Sequence, residues 1–379
     1  MDLYQALLSK ANYQKVFIRL NEKTKQSAHR GRTAPIIKEI NLDWVLRSEV
    51  FVTKKIIREL ASKHYAPGFA TKNLIKVKDK TREIFALAWP DKIVEAVIAG
   101  VLNQAFEADY SDSLYSFRQG RSNLTALERL AKYIQFQQEA CLPIYFFKTD
   151  ITKYGESINT ELLLEIIASH LPPQEQYLWN LLSSFLDAKY QKFDGKQPQI
   201  DAGLPAGFSL TPVCENIYLS GLDQVISQDS EFYLRFGDDI LLADSNPDRL
   251  QINIAKIIPI LKSLNLMIHP EKSALISFQV APDPFKYKNS FDYLGYSINQ
   301  HGQLFLSANK EKELKRYLYN KLQISFHTIR KLAGDPAEQV KILCQTISSH
   351  YQQELRHPYL SLILAHGNDL LKIRAFDES

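Results

Sequence analysis

The chain has 379 residues, 45% of them apolar, and a formal net charge of +4, so a substantial core and more than one lobe are expected and any polyanion is met by local basic patches. No apolar run reaches the ~18 residues of a membrane span, and the start Met1-Asp2-Leu3-Tyr4 lacks the pattern of a secretory leader. Cys141, Cys214 and Cys344 lie far apart without metal-ligand spacing, which excludes a cysteine zinc site and fits a reducing cytoplasm.

In chain order, residues 1–60 read as two or three helical stretches separated by the polar segment Lys23–Thr33, whose Lys23, Lys25, His29, Arg30 and Arg32 suit either phosphate contact or a solvated loop. Lys76, Lys78, Lys80 and Arg82 form a basic, strand-like run. Ile93-Val94, Val97-Ile98, Val101-Leu102 and Phe106 recur at helical spacing and predict core. Ile144–Asp150 reads as a short buried strand ending in a carboxylate, followed by the helical run Glu161–Ile167. Phe193–Pro198 predicts a turn. Gly203 and Gly207 flank Leu204-Pro205-Ala206 and permit a tight turn with close backbone approach. Thr211 and Pro212 read as N-cap and first position of a helix carrying Asn216 and Leu222.

Phe232, Leu234 and Phe236 alternate with Tyr233 and Arg235, and Ile240-Leu241-Leu242 resumes the strand, so Gly237-Asp238-Asp239 sits at a hairpin turn. Ile254–Leu264 predicts an amphipathic helix bent at Pro259. Lys272 follows Pro270 at a strand edge, and Leu294-Gly295-Tyr296 reads as a strand with a bend. After Leu306 the pattern turns helical, with Lys310, Lys312, Lys315, Arg316 and Lys321 preceding Ile329–Leu332 and a break at Gly334-Asp335-Pro336.

Adjacent carboxylates repel, so a fixed pair is commonly a divalent-metal ligand set, although an acidic surface turn has the same composition. A strand delivering Asp150 beside the Asp238/Asp239 hairpin gathers three acids. Three such acids suffice for two Mg²⁺, the arrangement that activates a hydroxyl and stabilises a leaving pyrophosphate.

The order of these segments resembles the bacterial reverse transcriptases of the group II intron-like lineage, from about Tyr65 to Leu306. Lys80–Val94 resembles the fingers segment that opens the family core, Leu114–Ser122 its Tyr-Gly-Phe-Arg-x-Gly-Arg-Ser signature, and Phe147–Tyr154 motif A. Gly203–Leu219 resembles motif B, Phe236–Asp239 the Tyr-x-Asp-Asp box, His269–Ser273 motif D and Phe291–Tyr296 motif E. The resemblance implies an α+β, right-hand polymerase architecture: an N-terminal helical extension over 1–60, fingers over 61–140, a palm over 141–300 with part of the fingers inserted at about 160–200, and a primer-grip end and helical thumb over 301–379.

It further implies metal sites at Asp150, Ile151, Asp238 and Asp239 for two Mg²⁺, with Mn²⁺ as a substitute, and Lys272 as the acid that protonates pyrophosphate. Lys80, Arg82, Arg118, Arg121, Tyr154, Gly155, Ala206 and Gly207 fall in the nucleotide site, and Leu294, Gly295 and Tyr296 in the primer grip. Implied partners are an RNA template, a DNA or RNA primer and deoxynucleoside triphosphates, with no membrane and homo-oligomerisation open. The chain ends soon after the thumb and lacks retron-type elements, which resembles free-standing enzymes of antiphage defence that work with a structured noncoding RNA or a second protein. Two departures stand out. Gly155 replaces the aromatic residue that blocks a ribose 2′-hydroxyl, leaving weaker rejection of ribonucleotides or a gate supplied by Tyr154; Ala206 replaces a common Gln. An intron maturase, an RNA polymerase or terminal transferase, and a non-catalytic nucleic-acid binder are the alternatives.

Overall fold

Long straight-chain and apolar residues at helical spacing build the first part of the chain: α1 (Leu3–Leu7), α2 (Lys10–His29), α3 (Leu42–Arg47) and α4 (Glu49–Ala61). The structure is a computed structural model that describes residues 2–29, 42–77, 80–174, 176–187, 190–191, 203–279, 282–313 and 316. Arg30, Arg32, Lys78, the turn expected at 193–198, Cys344 and the helical stretch expected beyond 316 lie outside them. The polar segment from Lys23 is not a separator as far as it is described. Helix α2 continues to His29.

β1 (Ala70–Val77) and β2 (Lys80–Ala86) pair antiparallel, Thr71 opposite Ala86 and Val77 opposite Lys80. α5 (Trp89–Phe106) is apolar on nearly every side, and it packs against α1, α2 and α4. The N-terminal helices share one core with α5. α6 (Asn123–Glu139) starts at a capping box in which Ser122 and Thr125 satisfy each other's backbone N–H.

β3 (Tyr145–Asp150) is followed by the short α7 (Tyr154–Ser157), then α8 (Thr160–His170), α9 (Gln176–Leu186) and β4 (Tyr190–Gln191), which runs parallel to the start of β1. α10 (Leu210–Tyr218) and α11 (Ser220–Asp229) lead to β5 (Phe232–Phe236), β6 (Asp239–Asp244) and α12 (Pro247–Ser263). A 3-10 turn at Pro270–Lys272 precedes β7 (Ala274–Ser277), β8 (Lys286–Tyr287), β9 (Ser290–Tyr293), β10 (Tyr296–Asn299) and β11 (Leu304–Leu306). The central sheet has strand order β5-β6-β3-β7-β8. α12 packs on β3 and β6, α11 on β5 and α12, and α5 and α8 on α10.

Three elements depart from the sequence expectation. α10 begins at Leu210 rather than Pro212, because the buried Glu95 carboxylate accepts from the Leu210 N–H, while Thr211 Oγ1 donates to the Pro205 carbonyl at 2.7 Å. α12 begins at Pro247, where Asn246 Oδ1 caps Asp248 and Arg249, and holds Pro259 within it. Both faces of β5 are covered, so its alternation marks no solvent side: Tyr233 is 1% and Arg235 0% exposed.

One compact unit comprises Met1–Leu294 and Ile298–Leu304, and a second comprises Gly295–Ser297 and Phe305–Ser379. In the second, residues 308–313 are helical, and Ser307 starts this helix by accepting from Lys310 and Glu311 N–H. No helix of the described residues is long and apolar enough to cross a membrane.

Candidate catalytic site

β3 and β6 pair antiparallel with Asp150 directly opposite Asp239, and β5 brings Phe236 opposite Asp239 across the hairpin. The Ile151 N–H donates to the Asp238 carbonyl at 3.2 Å, tying the end of β3 to the turn. Pairing register sets Asp150 beside Asp239, and the Ile151 hydrogen bond draws the Asp238 turn to the end of β3. Their electrostatics agree: burial and then Asp150 raise Asp238, while burial, then Asp238 and Asp150, push Asp239 up to about 6. The cluster is short of positive charge. Lys272 Nζ sits 2.7 Å from Asp150 Oδ2, the His269 N–H donates to the Asp150 carbonyl at 2.7 Å, and Lys148 Nζ donates to the Asp292 carbonyl at 2.6 Å while lowering Asp239. Among the described residues, no group of three or more His, Cys, Asp or Glu is already arranged to hold a metal ion.

The turn carrying Asp238 is held from behind. Gly237 has φ +64, a region glycine enters without strain, and its N–H donates to Ser116 Oγ at 2.9 Å. Ser116 Oγ in turn donates to Asn216 Oδ1 at 2.9 Å, and Asn216 Nδ2 to the Ser116 carbonyl at 2.8 Å. Arg235 donates to the Gly237 and Asn216 carbonyls and forms a bidentate pair with Asp223, at 2.7 and 2.6 Å, with Tyr233 donating to the same carboxylate. Both members of that pair are fully buried. The loop before α10 closes a second side. A Cβ on Gly203 would lie 2.4 Å from the Gly155 carbonyl, and one on Gly207 would lie 2.9 Å from the Phe85 carbonyl. Leu204 N–H donates to Gly155 at 2.8 Å and Phe85 N–H to Ala206 at 2.8 Å, so the loop bridges β2 and α7.

A family model described as reverse transcriptase (RNA-dependent DNA polymerase) matches residues 71–298, which is more than half of the chain. The chain belongs to the reverse transcriptases. Similar curated proteins include the group II intron-encoded protein LtrA of Lactococcus lactis subsp. cremoris, 27% identical over 46% of this chain and 28% of that protein. Protein YkfC of Escherichia coli (strain K12) is 23% identical over 52% of this chain and 51% of that one. The chain therefore spans about a quarter to a half of the length of these relatives. Among solved structures, apo telomerase from Candida Tropicalis, truncated from its C-terminal domain, aligns at TM-score 0.50 and 17% identity over 68% of this chain and 59% of that one. This likeness is one of fold: mixed helix and strand, with the palm sheet of the right-hand polymerases.

On this reverse transcriptase palm the other anticipated residues divide. Ala206 and Gly207 are exposed at the loop, and Arg82 is exposed on β2 with its charge felt by Asp238. Lys80 lies on β2, its side chain outside the described set. Arg118 is held within the loop before α6. It is 8% exposed and spends its donors on Glu107 and on the Ser111 and Leu114 carbonyls, which folds the loop before α6. Arg121 pairs with Asp112 at 2.6 Å and stacks on Tyr115. Tyr154 has a buried ring, and its hydroxyl donates to the Glu215 carbonyl. Ile151 has a buried side chain. Leu294 and Gly295 take positive φ, +50 and +84, in the turn between β9 and β10.

Sequence reading missed Ser116, Asn216, Asp223, Glu95 and Glu215 as parts of the site. The available signal was a charged Arg235 inside an otherwise apolar strand, which demands a buried acid partner.

Proposed function

We propose that this chain is an RNA-directed DNA polymerase that extends a primer 3′-hydroxyl by nucleotidyl transfer. The observation that carries the reading is the Asp150–Asp239 register with Asp238 in the adjoining turn. The donor set fits divalent cations: three hard oxygen ligands, two of them with raised pKa because the acids are partly buried and repel one another. Asp150, Asp238 and Asp239 would hold two Mg²⁺, with Mn²⁺ able to substitute and with Ile151 at the same site. When bound, such ions make the 3′-hydroxyl a better nucleophile and neutralise the departing pyrophosphate.

Lys272, already reaching the Asp150 carboxylate, is positioned to release that contact and hand a proton to pyrophosphate. Arg82 offsets triphosphate charge from β2. The Ser116–Asn216–Arg235 network fixes the Asp238 turn, which preorganises the acids before substrate arrives.

The finer reading is antiphage defence with a structured noncoding RNA template and a second protein; its support is the motif resemblance, and sequencing of copurifying nucleic acid tests it. The intron-encoded relatives favour a maturase as the second reading. Extension of a labelled primer on an RNA template discriminates. Wild type with Mg²⁺ is expected to incorporate dNTPs, and Asp238→Ala to lose about 10³-fold or more. RNA binding with no Asp238-dependent product on any template would favour the maturase.

A further inference from the structure

Glu215 has no place in the mechanism so far, yet it opens onto the same site. It lies on α10 with its main chain fixed, since Tyr154 Oη donates to its carbonyl. A Cβ added to Gly155 would stand 2.9 Å from Glu215 Oε1. The space beside Gly155 is therefore taken by a carboxylate, not left empty and not filled by a ring. Among the described residues no hydrogen bond or ion pair reaches that carboxylate, although it is half-buried. Burial, then the charge of Asp238, pushes it up to about 7. An acceptor kept without a donor at a partly desolvated position is costly unless a ligand supplies one.

The chemistry of a nucleotide says which donor arrives. Its sugar is bonded through O5′ to the α-phosphate, the group that must meet the acids at Asp150 and Asp238. The groups next to those acids along the chain and in charge are the Tyr154–Gly155 turn, which follows β3 and Asp150, and Glu215, which feels the charge of Asp238, so a sugar attached to that phosphate would meet them. We propose that Glu215 is a specificity-determining residue that accepts a hydrogen bond from the ribose 2′-hydroxyl, so that ribonucleoside triphosphates enter beside deoxyribonucleoside triphosphates. A ring extending from position 155 would occupy the hydroxyl's place, whereas a carboxylate leaves room for it and binds it. This inference rests on the nucleotidyl-transfer reading.

The test compares kcat/KM for GTP, dGTP and 2′-fluoro-2′-deoxy-GTP opposite a template cytosine, in wild type, Glu215→Ala, Glu215→Gln and Gly155→Ala. Wild type incorporates GTP readily and discriminates against the fluoro analogue, which cannot donate. Glu215→Ala lowers the GTP:dGTP ratio about tenfold or more. Glu215→Gln keeps an acceptor oxygen and retains much of the ratio. Gly155→Ala pushes aside only the flexible end of Glu215, so it folds normally and lowers the ratio as well. Strict rejection of GTP by wild type, or a ratio that ignores residue 215, would overturn the proposal. Absence of Asp238-dependent incorporation of either nucleotide would overturn the nucleotidyl-transfer reading itself, and this inference with it.

Discussion

Charge at single residues is spent here on geometry as much as on chemistry. Arg235 and Asp223 are buried as a pair that holds the Gly237 carbonyl, so removing one member strands the other. Arg235→Met is expected to cost about 3–5 kcal/mol in urea unfolding, and Asn216→Ala about 1–3 kcal/mol with loss of polymerase activity. Glu95 gives a pH signature. Burial is the main cause that raises it from 4.5 to about 7, against the lowering effect of the Leu210 and Ser209 hydrogen bonds. Between those values the unfolded chain has released the proton and the folded chain keeps it, so raising pH favours unfolding. Stability from this group is whole below about pH 4.5 and is lost as pH rises to about 7, on the order of 3 kcal/mol in all. Thermal unfolding of Glu95→Gln across this window should show a smaller decline than wild type; an identical decline would remove Glu95 as the cause.

At the scale of elements, the loop before α10 depends on missing side chains. Gly203 combines φ +78 with backbone atoms 2.4 Å from any Cβ, whereas Gly237 has φ +64 and open space around it. Gly203→Ala should therefore separate β2 from α7 and abolish activity. Gly237→Ala should cost only the backbone strain, about 1–2 kcal/mol, by denaturant unfolding. Equal effects of the two substitutions would contradict the bridging role of the loop. β3, with Asp150 at its end, is built by the run Tyr145-Phe146-Phe147, and its register against β6 follows from a fully covered apolar set that a one-residue slip would misplace.

For the molecule as a whole, much of the fold was legible because its motifs are local: a strand ending in Asp150, a hairpin at Asp238, a glycine loop before a helix. What was hidden is non-local. Arg118 looks like a phosphate clamp in sequence, but Glu107 and two carbonyls claim it. The Tyr154 hydroxyl finds its acceptor on the helix carrying Glu215. The start of α10 moved because Glu95, distant in sequence, caps it. Such partners follow from packing, which spacing does not report. With a net charge of only +4, primer–template binding should rest on a few local phosphate contacts and weaken only modestly with salt. Charge-removing substitution at Arg82, which offsets triphosphate charge, should raise KM for the incoming dNTP in primer extension and leave primer–template affinity unchanged.

The acids at 150, 238 and 239 carry the account, and counting the ions they hold tests it most directly. Mn²⁺ binding followed by electron paramagnetic resonance, with a 3′-deoxy-terminated primer on an RNA template and the incoming dNTP, should show two ions on the wild-type protein. Asp150→Ala and Asp238→Ala should each remove at least one. The same ion count in wild type and both variants would contradict the assignment.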